Sequence, residues 1–158
     1  MIIGVWVLLL GLMTLFAHRW YERAENPNQT IFVGQSGDGE YIRLQANRAG
    51  HYVANGQING KDVVFLLDTG ATSISVPQQV ADRVGLSRGH PVTVSTANGT
   101  ATVYATNMEA VRLGVFERYT VAGHVNPHMR GDEVLLGMNF LRHFNLNVQD
   151  TVLTITQP

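Results

Sequence analysis

Val63-Val64-Phe65-Leu66-Leu67 is an unbroken apolar run that stops at an acid, Asp68. A strand whose side chains are apolar on both sides has to be covered on both faces, so the chain must wrap a layered sheet around this segment. The acid adds a second constraint, because an ionised carboxylate at the mouth of a buried strand is costly unless hydrogen-bond donors meet it. The residues that follow are suited to meeting it, since Thr69 offers a hydroxyl, Gly70 lets backbone amides approach, and Ala71 leaves space for a bound molecule. All of them also favour turns, so Asp68-Thr69-Gly70 taken alone equally describes an ordinary turn that closes a strand.

Around this run the sequence alternates short strand-like segments with turn signals, at 41–46, 51–58, 61–67, 92–96, 100–104, 108–113, 119–125, 134–136, 146–149 and 152–156. Asn59-Gly60 predicts a type I′ hairpin turn, because both of its central positions need positive φ. Helix signals are confined to 77–84, with Pro77 at the start and Gly85 as a stop, and to 139–144. Many strands without βαβ alternation predict an all-β, small closed β-fold. With 158 residues the chain has room for one such domain plus appendages.

The appendage is at the N-terminus. Residues 1–17 carry no charged side chain and are followed by His18-Arg19-Trp20-Tyr21-Glu22-Arg23. At 1.5 Å per residue the apolar run covers about 25 Å, and Trp20, Tyr21 and a snorkelling Arg19 extend it to membrane thickness. No basic residue precedes it, and Leu15-Phe16-Ala17 is a poor cleavage site, so a transmembrane anchor over 1–23 is expected rather than a cleaved signal. The polar, turn-rich stretch 24–40 predicts a flexible linker, leaving 41–158 as the folded body. By the positive-inside rule, the arginines after the span point to a cytoplasmic body.

Composition excludes several function classes. A net charge of −1 without a Lys/Arg cluster in the body argues against nucleic acid as a partner. The absence of cysteine removes thiol nucleophiles and Cys-ligated zinc. His124 and His128 are separated by Pro127, and no His-Glu-x-x-His occurs, so no metal or other cofactor is expected. Ser73 and Ser75 lie in no nucleophile-elbow sequence.

A second element, Val134-Leu135-Leu136-Gly137-Met138-Asn139-Phe140-Leu141, runs from a short apolar strand through glycine into a helix-like stretch. Glycine after a buried strand marks a place where another backbone passes close by. At this point the chain resembles the retropepsin-like aspartic proteases, whose pattern is Asp-Thr-Gly-Ala after a buried strand, a hairpin flap, and then two apolar residues and Gly before a helix. It is more narrowly similar to the bacterial membrane-anchored members, through Gly50-His51-Tyr52, Ile58-Asn59-Gly60, Thr96-Ala97-Asn98-Gly99 and Leu135-Leu136-Gly137-Met138.

The resemblance implies a peptide-hydrolysing enzyme with Asp68 as catalytic acid, Thr69 bracing two active loops across a dimer axis, and Gly70 beside the carboxylate. Leu135, Leu136 and Gly137 would support that loop from beneath. A flap over 92–104, with Ala97, Asn98 and Gly99 at its turn, would grip substrate together with Ala71. Since Asp-Thr-Gly occurs once, a homodimer must supply the second acid, with 152–156 interleaving at the interface. Retroviral relatives usually carry Arg where this chain has Met138, whereas Asn139 matches a position that is commonly Asn or Asp. The resemblance also implies a bacterial inner-membrane protein with a periplasmic body, against the arginine count. The alternative reading is a catalytically silent, membrane-tethered β-domain that binds peptides or dimerises.

Overall fold

The computed structural model describes residues 2–37, 39–96 and 99–158. Its first element is helix α1, Ile2–Glu25. Residues Ile3–Glu25 are long and apolar enough to cross a bilayer, and their large side chains, among them Trp6, Leu8 and Phe16, are exposed rather than packed on the body. The helix thus supports a single-pass membrane anchor.

The remainder is strand-dominated: β1 (Phe32–Ser36), β2 (Gly39–Gln45), β3 (Tyr52–Ile58), β4 (Lys61–Leu67), β5 (Ile74–Pro77), α2 (Gln78–Val84), β6 (Pro91–Thr96), β7 (Gly99–Leu113), β8 (Phe116–Asn126), β9 (Glu133–Leu136), α3 (Met138–Leu141), β10 (Asn145–Gln149) and β11 (Val152–Thr156). One sheet runs β3-β4-β9-β5-β8-β7-β6, and β7 pairs again with β3 at Ile58↔Val111 and Gln57↔Arg112, so the sheet closes on itself. A second sheet runs β1-β2-β11-β10. Its Ile42, Leu44, Leu153 and Ile155 join Phe65, Met108 and Leu113 of the closed sheet and Phe140 of α3 in one core. This is the small closed β-fold that the sequence predicts, with short helices α2 and α3.

Local chemistry explains the main features. Asn59 and Gly60 both have positive φ, 51° and 74°, and turn β3 into β4. On β4, Val63 and Phe65 are fully covered, whereas Val64, Leu66 and Leu67 are only half-buried. The second face of this strand is therefore less covered than its unbroken apolar run predicts.

Three expectations are corrected. The stretch 24–40 is not flexible coil, because α1 continues to Glu25, Asn26 and Asn28 are buried, and β1 pairs with β2. Asparagines that read as loop residues are here consumed by backbone groups of the body: the Asn28 side chain donates to the carbonyls of Gln45 (2.9 Å) and Val53 (2.7 Å) and accepts from the Gln45 amide (2.7 Å). The runs 100–104 and 108–113 are one strand, β7, since the polar residues between them mark a change of partner from β6 to β8 and not a break. Finally, β11 lies between β2 and β10 with both edges paired within the chain. It has no free edge with which to interleave with another subunit; β1 and β10 are the edges of that sheet.

Candidate active site

β9 enters between β4 and β5, pairing in parallel with β4 (Leu66↔Leu135, Leu67↔Leu136) and antiparallel with β5 at Ser75↔Leu135. Sequential strands β4 and β5 are thereby held apart, and the loop from Asp68 to Ser73 has to pass around the end of β9. Gly137 sits at that end. A Cβ there would lie 2.6 Å from the Ser73 carbonyl oxygen and 2.8 Å from that of Ala71, so no side chain fits.

The loop is clipped on both flanks. The Asp68 amide donates to the Leu136 carbonyl (3.1 Å), the Met138 amide to Ala71 (2.8 Å), and the Asn139 amide to Thr72 (3.1 Å), while the Ala71 amide closes a turn onto the Asp68 carbonyl (3.2 Å). Leu135, Leu136 and Gly137 thus lie against the loop that carries Asp68. Asn139, whose role the sequence left unassigned, is a further tie. Its Oδ1 accepts from the Ile74 amide (3.0 Å) and its Nδ2 donates to the Ala122 carbonyl (2.6 Å), which joins α3, β5 and β8 behind the loop. The sequence signal that pointed there is the resemblance, in which Asn139 falls at a position that is commonly Asn or Asp; the bonds it makes have no local signature.

Asp68 is half-buried, and Thr69 and Gly70 are exposed. The Gly70 amide donates to Asp68 Oδ1 at 2.8 Å. Among the described residues, Oδ2 accepts no hydrogen bond, and no second carboxyl group meets it. Asp150, the other Asp followed by Thr, occupies the β10–β11 turn with φ 54°. The arrangement presents one carboxylate, with one oxygen oriented by a backbone amide and the other open, at the tip of a rigid strand pair.

Beside the loop, the Ser73 hydroxyl lies 3.0 Å from His124 Nδ1. Burial holds the His124 pKa below the ordinary imidazole value, and the neighbouring His90 adds to the effect. The sequence spacing pairs His124 with His128, but His128 lies in a turn, its amide bonded to Asn126 Oδ1. Among the described residues no three His, Cys, Asp or Glu side chains gather as a cation site.

The hairpin β6–β7 runs from Pro91↔Tyr104 to Thr96↔Gly99. Pro91, Thr93, Ser95, Gly99, Thr100 and Thr102 are exposed, and Val103 at its base is buried, so this is an arm that projects from the closed sheet. Ala97 and Asn98, expected at its tip, lie outside the described residues; Gly99 is the first residue of β7.

A protein-family model described as "gag-polyprotein putative aspartyl protease" matches residues 54–143, more than half of the chain, from within β3 to just beyond α3. An uncharacterized protein from the cobV 5′ region of a Sinorhizobium species is 28% identical over 88% of this chain, and one from Rickettsia prowazekii (strain Madrid E) is 29% identical over 72%. The match covers 65% and 45% of the length of those relatives, respectively. Among solved structures, a retropepsin-like aspartic protease from Rickettsia conorii superimposes with TM-score 0.63 and 26% identity, covering 80% of this chain and 92% of that one. The EIAV protease, complexed with the inhibitor HBY-793, superimposes with TM-score 0.51 and 19% identity over 63% of this chain and 92% of its own, a likeness of fold. A closed β-fold, a strand wedged between the two that flank an Asp-Thr-Gly loop, and a family match spanning all of these elements lead to one assignment: the chain belongs to the retropepsin-like family of aspartic proteases.

Proposed function

We propose that the protein is a membrane-anchored aspartic endopeptidase whose active site forms when Asp68 meets its counterpart from a second copy across a two-fold axis. The observation that carries this reading is the state of the Asp68 carboxylate, fixed through Oδ1 by the Gly70 amide yet half-exposed and open at Oδ2. Hydrolysis by a carboxylate route needs two such groups sharing one proton. The ionised member removes a proton from a water held between them, and the water oxygen bonds to the scissile carbonyl carbon. The protonated member gives its proton to the carbonyl oxygen. Collapse of the resulting diol breaks the C–N bond, the nitrogen takes a proton, and the pair regains its single shared one. One carboxyl group cannot be both donor and acceptor in the same step.

Thr69, exposed next to Asp68, is the group that would brace the paired loops. The arm β6–β7 would close over an extended peptide with apolar residues at the cut, adding it as a strand, with Ala71, Ala97, Asn98 and Gly99 against it. Anchoring both copies in one bilayer raises their effective concentration, which offsets the absence of an arginine at Met138. A bacterial inner membrane with the body on the periplasmic side is part of the same reading.

The decisive variant is Asp68→Asn, which keeps the volume but can neither ionise nor share the proton. We expect the variant to fold with unchanged circular dichroism and to lose peptide cleavage by at least about a thousandfold. Near-normal turnover by the Asp68→Asn protein would sink the reading. Peptide binding retained by both forms, with cleavage by neither, would favour the silent binding module.

A further inference from the structure

The connection between the membrane helix and the body is a built contact. Asn26 Nδ2 donates to Asn55 Oδ1 at 2.8 Å, Asn55 Nδ2 donates to the Gln29 carbonyl at 3.1 Å, and Asn28 bridges to Ala54 of β3. The loop between β2 and β3 reaches back to the helix itself: Asn47 Nδ2 donates to the Glu25 carbonyl at 3.1 Å, and the Arg48 guanidinium lies 4.4 Å over the Trp20 ring. Trp20 is the residue whose amphipathic ring marks headgroup depth. The body is therefore docked on the emerging end of α1 and does not swing on a tether.

That same loop leads directly to the active strand. Asn47 exchanges hydrogen bonds with His51, amide to carbonyl at 2.8 Å and His51 amide to Asn47 Oδ1 at 3.0 Å. The next residue, Tyr52, is paired with Leu67, immediately before Asp68. From backbone spacings, Asp68 lies within roughly 20 Å of Asn47. The other end of the β3–β4 hairpin, at Asn59-Gly60, is a further strand length away, about 23 Å. The carboxylate is thus at the helix-tied end of the hairpin.

From this placement we infer that the substrates are juxtamembrane segments of proteins embedded in the same bilayer, cut within roughly 30 Å of the headgroups, which an extended stem reaches in about ten residues. The inference rests on the protease reading above and adds the location of the scissile bond. A body held on a flexible coil would sample a wide shell of heights; one clamped at Asn26, Asn28 and Asn47 presents its cleft at a single height. A stem anchored beside it arrives at high effective concentration.

The test uses the full chain in proteoliposomes with three probes bearing one cleavable apolar sequence. The first is a single-span peptide with the sequence in its first few residues outside the bilayer. In the second, a helical (EAAAK) spacer of about 40 residues raises the sequence by roughly 60 Å. The third is the free soluble peptide. We expect the stem probe to be cut at least about tenfold faster than the raised probe. Inserting about twenty Gly/Ser residues between Arg23 and Ala24 frees the body from a fixed height; it should bring the two rates together while leaving free-peptide cleavage unchanged. Equal cutting of stem and raised probes by the uninterrupted protein overturns the inference and leaves the protease reading intact. Failure to cut any of the three overturns both.

Discussion

Replacement of Asn139 by alanine tests how the active loop is held. In the native protein its side chain serves the amide of Ile74, a fully buried residue, and the carbonyl of Ala122. Alanine leaves the Ile74 amide without its acceptor, a loss of about 1–3 kcal/mol for a buried donor, and removes a second bond with a net value of about 0.5–1.5 kcal/mol. Asn139 is itself half-buried, so water recovers part of this, and we expect a net cost of about 2–3 kcal/mol. For a body of this size that corresponds to a fall in Tm of about 10 °C. Asn139→Asp separates the two bonds: a carboxylate can still accept from Ile74, but it faces the Ala122 carbonyl with no hydrogen to give. A protonated carboxyl can donate, so the Asp variant should regain stability as pH falls, and the Ala variant should not. Thermal unfolding of the detergent-solubilised proteins at several pH values reads both effects. An Ala variant within about 2 °C of wild type, or Asp and Ala variants with parallel pH profiles, would refute the account of this tie.

Gly137→Ala should destabilise by about 1–3 kcal/mol through overpacking against the Ala71 and Ser73 carbonyls, with a loss of kcat larger than any change in KM, measured on the free peptide. Burial, with His90 nearby, lowers the His124 pKa. Its contribution to stability is therefore fully present above the unfolded imidazole value of ~6.5 and is lost as pH falls through the lower folded value. Wild-type urea midpoints should drop over that window more steeply than those of His124→Gln, and superimposable pH profiles would contradict this. Peptide cleavage against pH should be bell-shaped, since the pair needs one protonated and one ionised member; a flat rate from acid to alkaline pH would count against a shared proton.

The parts of the fold that were legible in the sequence are those imposed at the level of the backbone. Val63 to Leu67 ending at Asp68 required a central strand, Asn59-Gly60 required a two-residue turn, and Gly137 required a close backbone approach; each follows from sterics that leave few alternatives. What the sequence hid was set by side chains acting over distance. Asn28 reads as a loop residue, and only the approach of Gln45 and Val53 turns it into a buried clamp. The polar stretch Ala105-Thr106-Asn107 reads as a break, yet β8 supplies it with His124, Gly123 and Ala122 as partners. The Ser73–His124 contact joins residues 51 positions apart and has no local signature. The central place of β11 was obscured by a pattern that fits an edge strand equally well.

That central place governs the order in which the molecule can assemble. β2, near the start of the body, pairs with β11 at its end, and β9 must slot between β4 and β5, which were synthesised long before it. Until β11 is made, Ile42 and Leu44 lack the partners Ile155 and Leu153 that lie opposite them in the smaller sheet. Such high contact order makes acquisition of the native state slow and nearly all-or-none. A nascent chain made only as far as β10 would hold every element of the Asp68 loop and still lack the strand that unites its smaller sheet, so competence arrives only once β11 has been made.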